Sequence, residues 1–188
     1  MSRRPGSALL LPVDAARDLV APWRDLVPPA TRGLAPHITL LWPFLEREAL
    51  DAVVERDLSA LCAGIAPFDF SLVRAASTAD VTFLVPEPDS AFVGLTQLFW
   101  RQWPECPPHA GAYTDVAPYL GVAFDPLPDQ RREIEGALAA RVPLLARADA
   151  VVLAEEDDEG VWHERRRFRL GGAGLAAPLG GAGRAPAP

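Results

Sequence analysis

A histidine and a threonine stand two residues apart in the stretch "APHITL" (35–40), as His37 and Thr39. In an extended strand, residues i and i+2 project from one face, so both side chains reach the same space. An imidazole takes or gives a proton near neutral pH, and a neighbouring hydroxyl can donate to a non-bridging phosphate oxygen. The pair suits phosphoryl chemistry; the plain alternative is an ordinary strand histidine. A second stretch, "APYLGV" (117–122), has the same frame: an Ala-Pro pair, alternating residues, then an apolar run ending in Phe. It sets Tyr119 and Gly121 where the first has His37 and Thr39, 82 residues further along the chain.

The positioning elements follow from periodicity. In "PHITLLWPF" (36–44), strict alternation predicts His37, Thr39 and Leu41 on one face and Ile38, Leu40, Trp42 and Phe44 on the other. The second set is large and apolar, so it is the expected core face, and the first faces a cleft. In "PYLGVAF" (118–124), Leu120, Val122 and Phe124 are the expected buried set, leaving Tyr119 and Gly121 toward the cleft. Strands are also expected at 7–13, 68–76, 81–86, in "ADAVVLAEED" and in "VWHERRRFRL". Helices are expected at 14–27 with Asp14 as N-cap, at 46–65, at 90–103 and at 128–142 with Pro128 near its start. The order strand–helix–strand–helix–strand–strand, then helix–strand–helix–strand–strand, is an approximate repeat. It implies an α+β fold of two pseudo-symmetric lobes, each an antiparallel-rich sheet with helices outside, facing a central cleft.

Two further groups bear on that cleft. His109 lies in the Pro-rich loop leading into Tyr119 and can lean toward the site; a solvent-exposed loop histidine is the simpler reading. In "VWHERRRFRL", alternation sets Trp162, Glu164, Arg166, Phe168 and Leu170 on one face and His163, Arg165, Arg167 and Arg169 on the other. Four basic groups on one strand face can line a phosphate-binding cleft, or can protect an exposed sheet edge with charge. "AEEDDEG" before it reads as a solvated hairpin turn that neutralises some of those arginines.

With its repeat, its element order and "PHITLLWPF", the chain resembles the two-histidine phosphoesterases, the superfamily of the 2'-5' RNA ligases and 2',3'-cyclic nucleotide phosphodiesterases. The resemblance spans roughly residues 7–171 and includes the loop "WPECPPHAGAYTDVAPYL" and the closing strand ending "FRLG". It implies two lobes each giving His-x-Thr/Ser to a shared cleft. One histidine acts as base and the other as acid, the hydroxyls hold the phosphate, and no metal or cofactor is needed. His37 and Thr39 match that pattern; Tyr119 and Gly121 do not. A phenol of unperturbed pKa about 10 is a poor proton shuttle at pH 7, and glycine has no side-chain donor. The second motif therefore reads as degenerate, with ordinary cyclic phosphodiesterase activity weakened.

The expected site has His37, Thr39 and Tyr119 as catalytic groups, with Arg165, Arg167, His109 and Gly121 against the substrate. The expected ligand is a small phosphate-bearing molecule or an RNA end. An inactive ligand-binding module, or a scaffold recruited to a non-phosphate reaction, are the alternatives. At net charge −7 the chain has no extended nucleic-acid surface. All 18 basic residues are arginine, which suits planar recognition of phosphate oxygens. The apolar runs are too short to span a bilayer, and "MSRRPGSALLLPV" is rejected as a signal peptide because charged helix follows at once. Cys62 and Cys106 have no metal spacing and are expected as free thiols in a cytoplasmic monomer. Residues 1–171 are expected as one bilobal domain and 172–188, rich in Gly, Ala and Pro, as a disordered tail.

Overall fold

Short β-rich segments separated by Pro- and Gly-bearing turns pair into a single sheet. The computed structural model describes residues 6–111 and 117–172. Within them lie β1 (Ser7–Pro12), β2 (His37–Leu41), β3 (Phe68–Ser77), β4 (Val81–Glu87), β5 (Leu120–Phe124), β6 (Leu144–Ala148), β7 (Ala150–Glu156) and β8 (Trp162–Arg169). The helices are α1 (Arg17–Val20), α2 (Ala52–Ala63), α3 (Asp89–Gln102) and α4 (Pro128–Ala139). The strands run β6-β3-β4-β5-β2-β1-β7-β8, every neighbouring pair antiparallel. The fold is α+β, as the element order implies.

The two lobes are the halves of this sheet, β2-β1-β7-β8 and β5-β4-β3-β6, meeting at the β2–β5 seam. The one registered pair across the seam is Ile38 with Leu120, positions that are themselves 82 residues apart. An antiparallel pair of equivalent residues is what a twofold axis through the seam requires. The lobes are not the two halves of the chain, however. The second uses the contiguous strands β3 to β6, whereas the first joins β1 and β2 to β7 and β8 from the C-terminal end. The tandem repeat expected from element order is thus interleaved, and the 82-residue spacing holds for β2 and β5 alone.

One face of the sheet is packed by helices. Ile38, Leu40, Leu120 and Val122 join Leu58 and Cys62 of α2, Phe92, Leu95 and Phe99 of α3, and Ile134 and Leu138 of α4 in the main core. α2 starts where Asp51 accepts hydrogen bonds from the Val53 and Val54 amides at 2.8 and 2.9 Å, satisfying two otherwise orphaned donors. The helix expected at 14–27 does not form as one piece. It breaks into a 3-10 turn at Asp14–Ala16, the single turn α1, and a second 3-10 stretch at Ala21–Leu26. Pro22 lacks an amide proton and crowds the carbonyl four residues before it. Asp14 caps nothing with its side chain and instead pairs with Arg17. Strand β6 is an element that the periodicity did not signal. Cys62 and Cys106 are buried free thiols, pushed by burial up to about 12 and about 11. The tail expectation for 173–188 falls outside the described residues, as do positions 112–116 of the loop before β5.

Candidate active site

The other face of the sheet is open at the seam. A cavity of about 420 Å³ lies there, lined by His37, Thr39, Tyr119 and Gly121 together with His109, Arg24 and a set of aromatic and aliphatic side chains. The two matched motifs therefore face one cleft, placed there by β2 and β5 side by side.

Strict alternation fails at the same place in both strands. Leu9 pairs with Leu41 and Leu10 with Thr39, so Leu40 is an extra residue in β2. Thr82 pairs with Ala123 and Phe83 with Gly121, so Val122 is an extra residue in β5. A bulge of this kind reverses the facing of the residues immediately beyond it. Leu41 consequently turns into the core and Trp42 turns to the cleft, the reverse of the alternation expected for both. In β5, Ala123 turns into the core and Phe124 to the cleft, again reversing the expectation. Leu40 and Val122, like Trp42 and Phe124, are separated by 82 residues, so the bulge belongs to the repeat. The carbonyl freed at Leu40 is satisfied by the Thr96 hydroxyl of α3 at 2.9 Å. Each half-site thus gives three cleft positions: His37, Thr39 and Trp42 from β2, and Tyr119, Gly121 and Phe124 from β5.

His37 is half-buried, and its Nδ1 lies 2.7 Å from the Ala35 carbonyl oxygen. A carbonyl only accepts, so Nδ1 carries the proton and Nε2 holds the lone pair of the neutral ring. Burial pushes the His37 pKa below its ordinary value; the Ala35 carbonyl works against that, and the positive Arg24 adds to it. The neutral, proton-accepting form is therefore favoured at pH 7. Arg24 reaches the cleft from the second 3-10 stretch, donating to the carbonyls of Arg32 and, at 2.8 Å, Leu34. Nothing in the spacing of "VAPWRDLV" pointed to it, because its neighbours in the cleft lie in other elements. Among the described residues it is the cavity's lone arginine.

Tyr119 packs its ring against Phe83, centroids 5.2 Å apart. Gly121 lies beneath Phe124: a Cβ there would stand 2.7 Å from the Phe124 Cζ. The ring occupies the space that a Thr39-like side chain would take on β5. His109 reaches the cleft, its ring edge-on to Trp42 with centroids 6.3 Å apart. Burial lowers its pKa as well.

Arg165 and Arg167 stand outside the lining of this cavity. Leu153 pairs with Arg166 and Ala154 with Glu164, so Arg165 is the extra residue of another bulge. The bulge splits the expected faces of β8. Trp162 turns to the cleft, while Phe168 and Leu170 join the helix-packed core. Arg165 crosses to α2, meeting Glu55 at 2.9 Å and Glu155 at 2.8 Å, and Arg166 shares Glu55 at 2.5 Å. Arg167 pairs with Glu164 at 2.9 Å and Asp14 at 3.6 Å. Of the acidic stretch 154–160, Glu155 pairs with an arginine of the closing strand, Arg165, as expected, while Asp157 binds His163 and Asp158 binds Arg47.

With the sheet, seam and cleft in place, the class is defined by sequence as well. The pattern of the 2'-5' RNA ligase superfamily matches residues 11–160, and the chain belongs to that superfamily, the two-histidine phosphoesterases. Among solved structures, Escherichia coli LigT complexed with 3'-AMP is similar at 18% identity and TM-score 0.54, over 89% of this chain and 99% of that one. TT0787 of Thermus thermophilus is similar at 20% identity and TM-score 0.56, over 90% of this chain and 100% of that one. E. coli LigT complexed with NADP+ is similar at 19% identity and TM-score 0.54, over 90% and 99% of the two chains. These likenesses concern the fold. No curated protein matches the chain by sequence.

Proposed function

We propose that the chain is a phosphoesterase of the two-histidine type, acting on a cyclic phosphate, a nucleotide or an RNA-end phosphodiester held in the seam cleft. The observation that carries this is the convergence of His37, Thr39 and the matched β5 positions on one cavity across a pseudo-twofold seam. In this reading the lone pair on His37 Nε2 accepts the nucleophile's proton and the Thr39 hydroxyl donates to a phosphate oxygen. The Tyr119 hydroxyl serves the same phosphate from the other lobe. Arg24 supplies the positive charge, and Trp42, Phe124 and Trp162 offer flat surfaces for a base. One arginine suits a small ligand with one or two phosphates better than a long anionic chain. That similar folds have been seen with 3'-AMP, ATP and NADP+ supports this ligand class.

Turnover of 2',3'-cyclic nucleotides by the wild type, abolished in His37→Ala, tests the reading. Removing one acid–base group should cost about 10²–10⁴-fold. A wild type that neither hydrolyses these compounds nor melts at a higher temperature with them, or with 3'-AMP or ATP, would sink it. The Phe124 ring over Gly121 favours a second reading, an inactive module that binds the same ligands. A thermal shift with no turnover would select it.

A further inference from the structure

We propose that His109 supplies the second proton-transfer group of this cleft, in place of a side chain from β5. The inference rests on the phosphoesterase reading above. The β5 positions hold a phenol and a glycine, neither suited to proton transfer at pH 7. The loop between α3 and β5 brings an imidazole into the same cavity as His37 and Thr39.

Several contacts hold His109 there. Trp103 and Cys106, which open the loop, are both buried, and the Cys106 amide donates to the Trp103 carbonyl at 3.0 Å. The His109 amide donates to the Trp42 carbonyl at 2.6 Å, tying the loop to the end of the His37 strand. The imidazole stands edge-on to the Trp42 ring. His109 and Ala110 adopt φ of 50° and 54° in succession, a left-handed conformation that non-glycine residues avoid. Such strain persists where the surroundings over-determine the position. The loop is thus built to aim this one side chain.

The two imidazoles complete a balanced hydrolysis. Water adds to phosphorus and His37 Nε2 takes its proton. The bond from phosphorus to the 2' or 3' oxygen breaks, and that oxygen takes its proton from the imidazolium of His109, which burial makes the minor form in the free protein. The product is the phosphate monoester; His37 then returns a proton to solvent and His109 takes one up.

The experiment uses the full chain with a 2',3'-cyclic nucleotide. His109→Gly should lose about 10²-fold or more in kcat with KM little changed, and added imidazole should restore part of the loss. His109→Gln, which keeps the side-chain bulk and a hydrogen-bonding amide, should lose kcat to the same degree and guards against misfolding of the glycine variant. A loss confined to KM, full activity in His109→Gln, or no rescue by imidazole would each overturn the assignment and leave the phosphoesterase reading intact. A wild type inactive on every cyclic nucleotide would overturn both.

Discussion

Replacing Gly121 with alanine probes the packing that separates the second half-site from the first. A Cβ at that position would stand 2.7 Å from the Phe124 Cζ and 3.1 Å from its Cε2. Carbon atoms rest about 3.5–4.0 Å apart, so the ring must retreat by roughly 0.8 Å or more. Overpacking of this kind costs about 1–3 kcal/mol, and the lower figure is expected because the far edge of a half-buried ring can yield. Gly121 is not among the positive-φ glycines. Where no ring opposes it, the same substitution should gain about 0.4–1 kcal/mol by restricting the unfolded chain. The sign should therefore differ between backgrounds: about 1 kcal/mol destabilising in the wild type, about 0.5 kcal/mol stabilising in Phe124→Ala. Urea unfolding of the four proteins should give a coupling of about 1.5 kcal/mol, within the range for touching residues. Thermal melting should follow at about 2–4 °C per kcal/mol. Effects that add to within about 0.5 kcal/mol would refute the ring-over-glycine packing, and with it the reason why β5 carries no hydroxyl.

Other expectations concern charge. Arg24→Met should raise the His37 titration midpoint followed by NMR, because a cation that disfavours the imidazolium is removed; an unchanged or lower midpoint contradicts the proximity. Since the folded midpoint of His37 lies below 6.5, the unfolded chain binds more protons between the two values. His37's share of stability should be complete above about pH 7 and lost as pH falls through 6.5 toward the folded midpoint. His37→Gln should show a shallower fall in melting temperature from pH 7.5 to 5.5 than the wild type, and equal slopes would count against it. Arg165→Ala should cost about 1 kcal/mol of stability through its Glu55 and Glu155 pairs. It should leave nucleotide affinity unchanged, as isothermal calorimetry can check, and a tenfold weaker affinity would place that guanidinium in the ligand's path.

His37 and Thr39 could be assigned to a common face because i and i+2 share a face wherever no bulge intervenes between them, and none does. The same holds for Tyr119 and Gly121. The apolar runs chose which side of each strand would be buried, since dehydrating those side chains dominates the energetics of a sheet face. Strand and helix types, and the α+β class, followed from period and length. The single helix expected at 14–27 failed at Pro22, a local signal that was present in the sequence.

The tertiary structure decided which residues beyond those pairs reach the cleft. Bulges at Leu40, Val122 and Arg165 each insert one residue against a partner strand. An insertion is a property of two strands in register, so one strand read alone cannot reveal it. Trp42 and Phe124 turned inward to the cleft for this reason, and Arg165 turned outward to Glu55. Arg24 came to the site from a 3-10 segment and His109 from a strained loop, each held by backbone carbonyls distant in sequence. The sequence by itself determined which side chains stand at two strand positions, an imidazole and a hydroxyl, and which at their counterparts, a phenol and a hydrogen. Which cation, which second imidazole and which aromatic walls share the cavity depended on long-range pairing, because side-chain facing is inherited from the neighbouring strand.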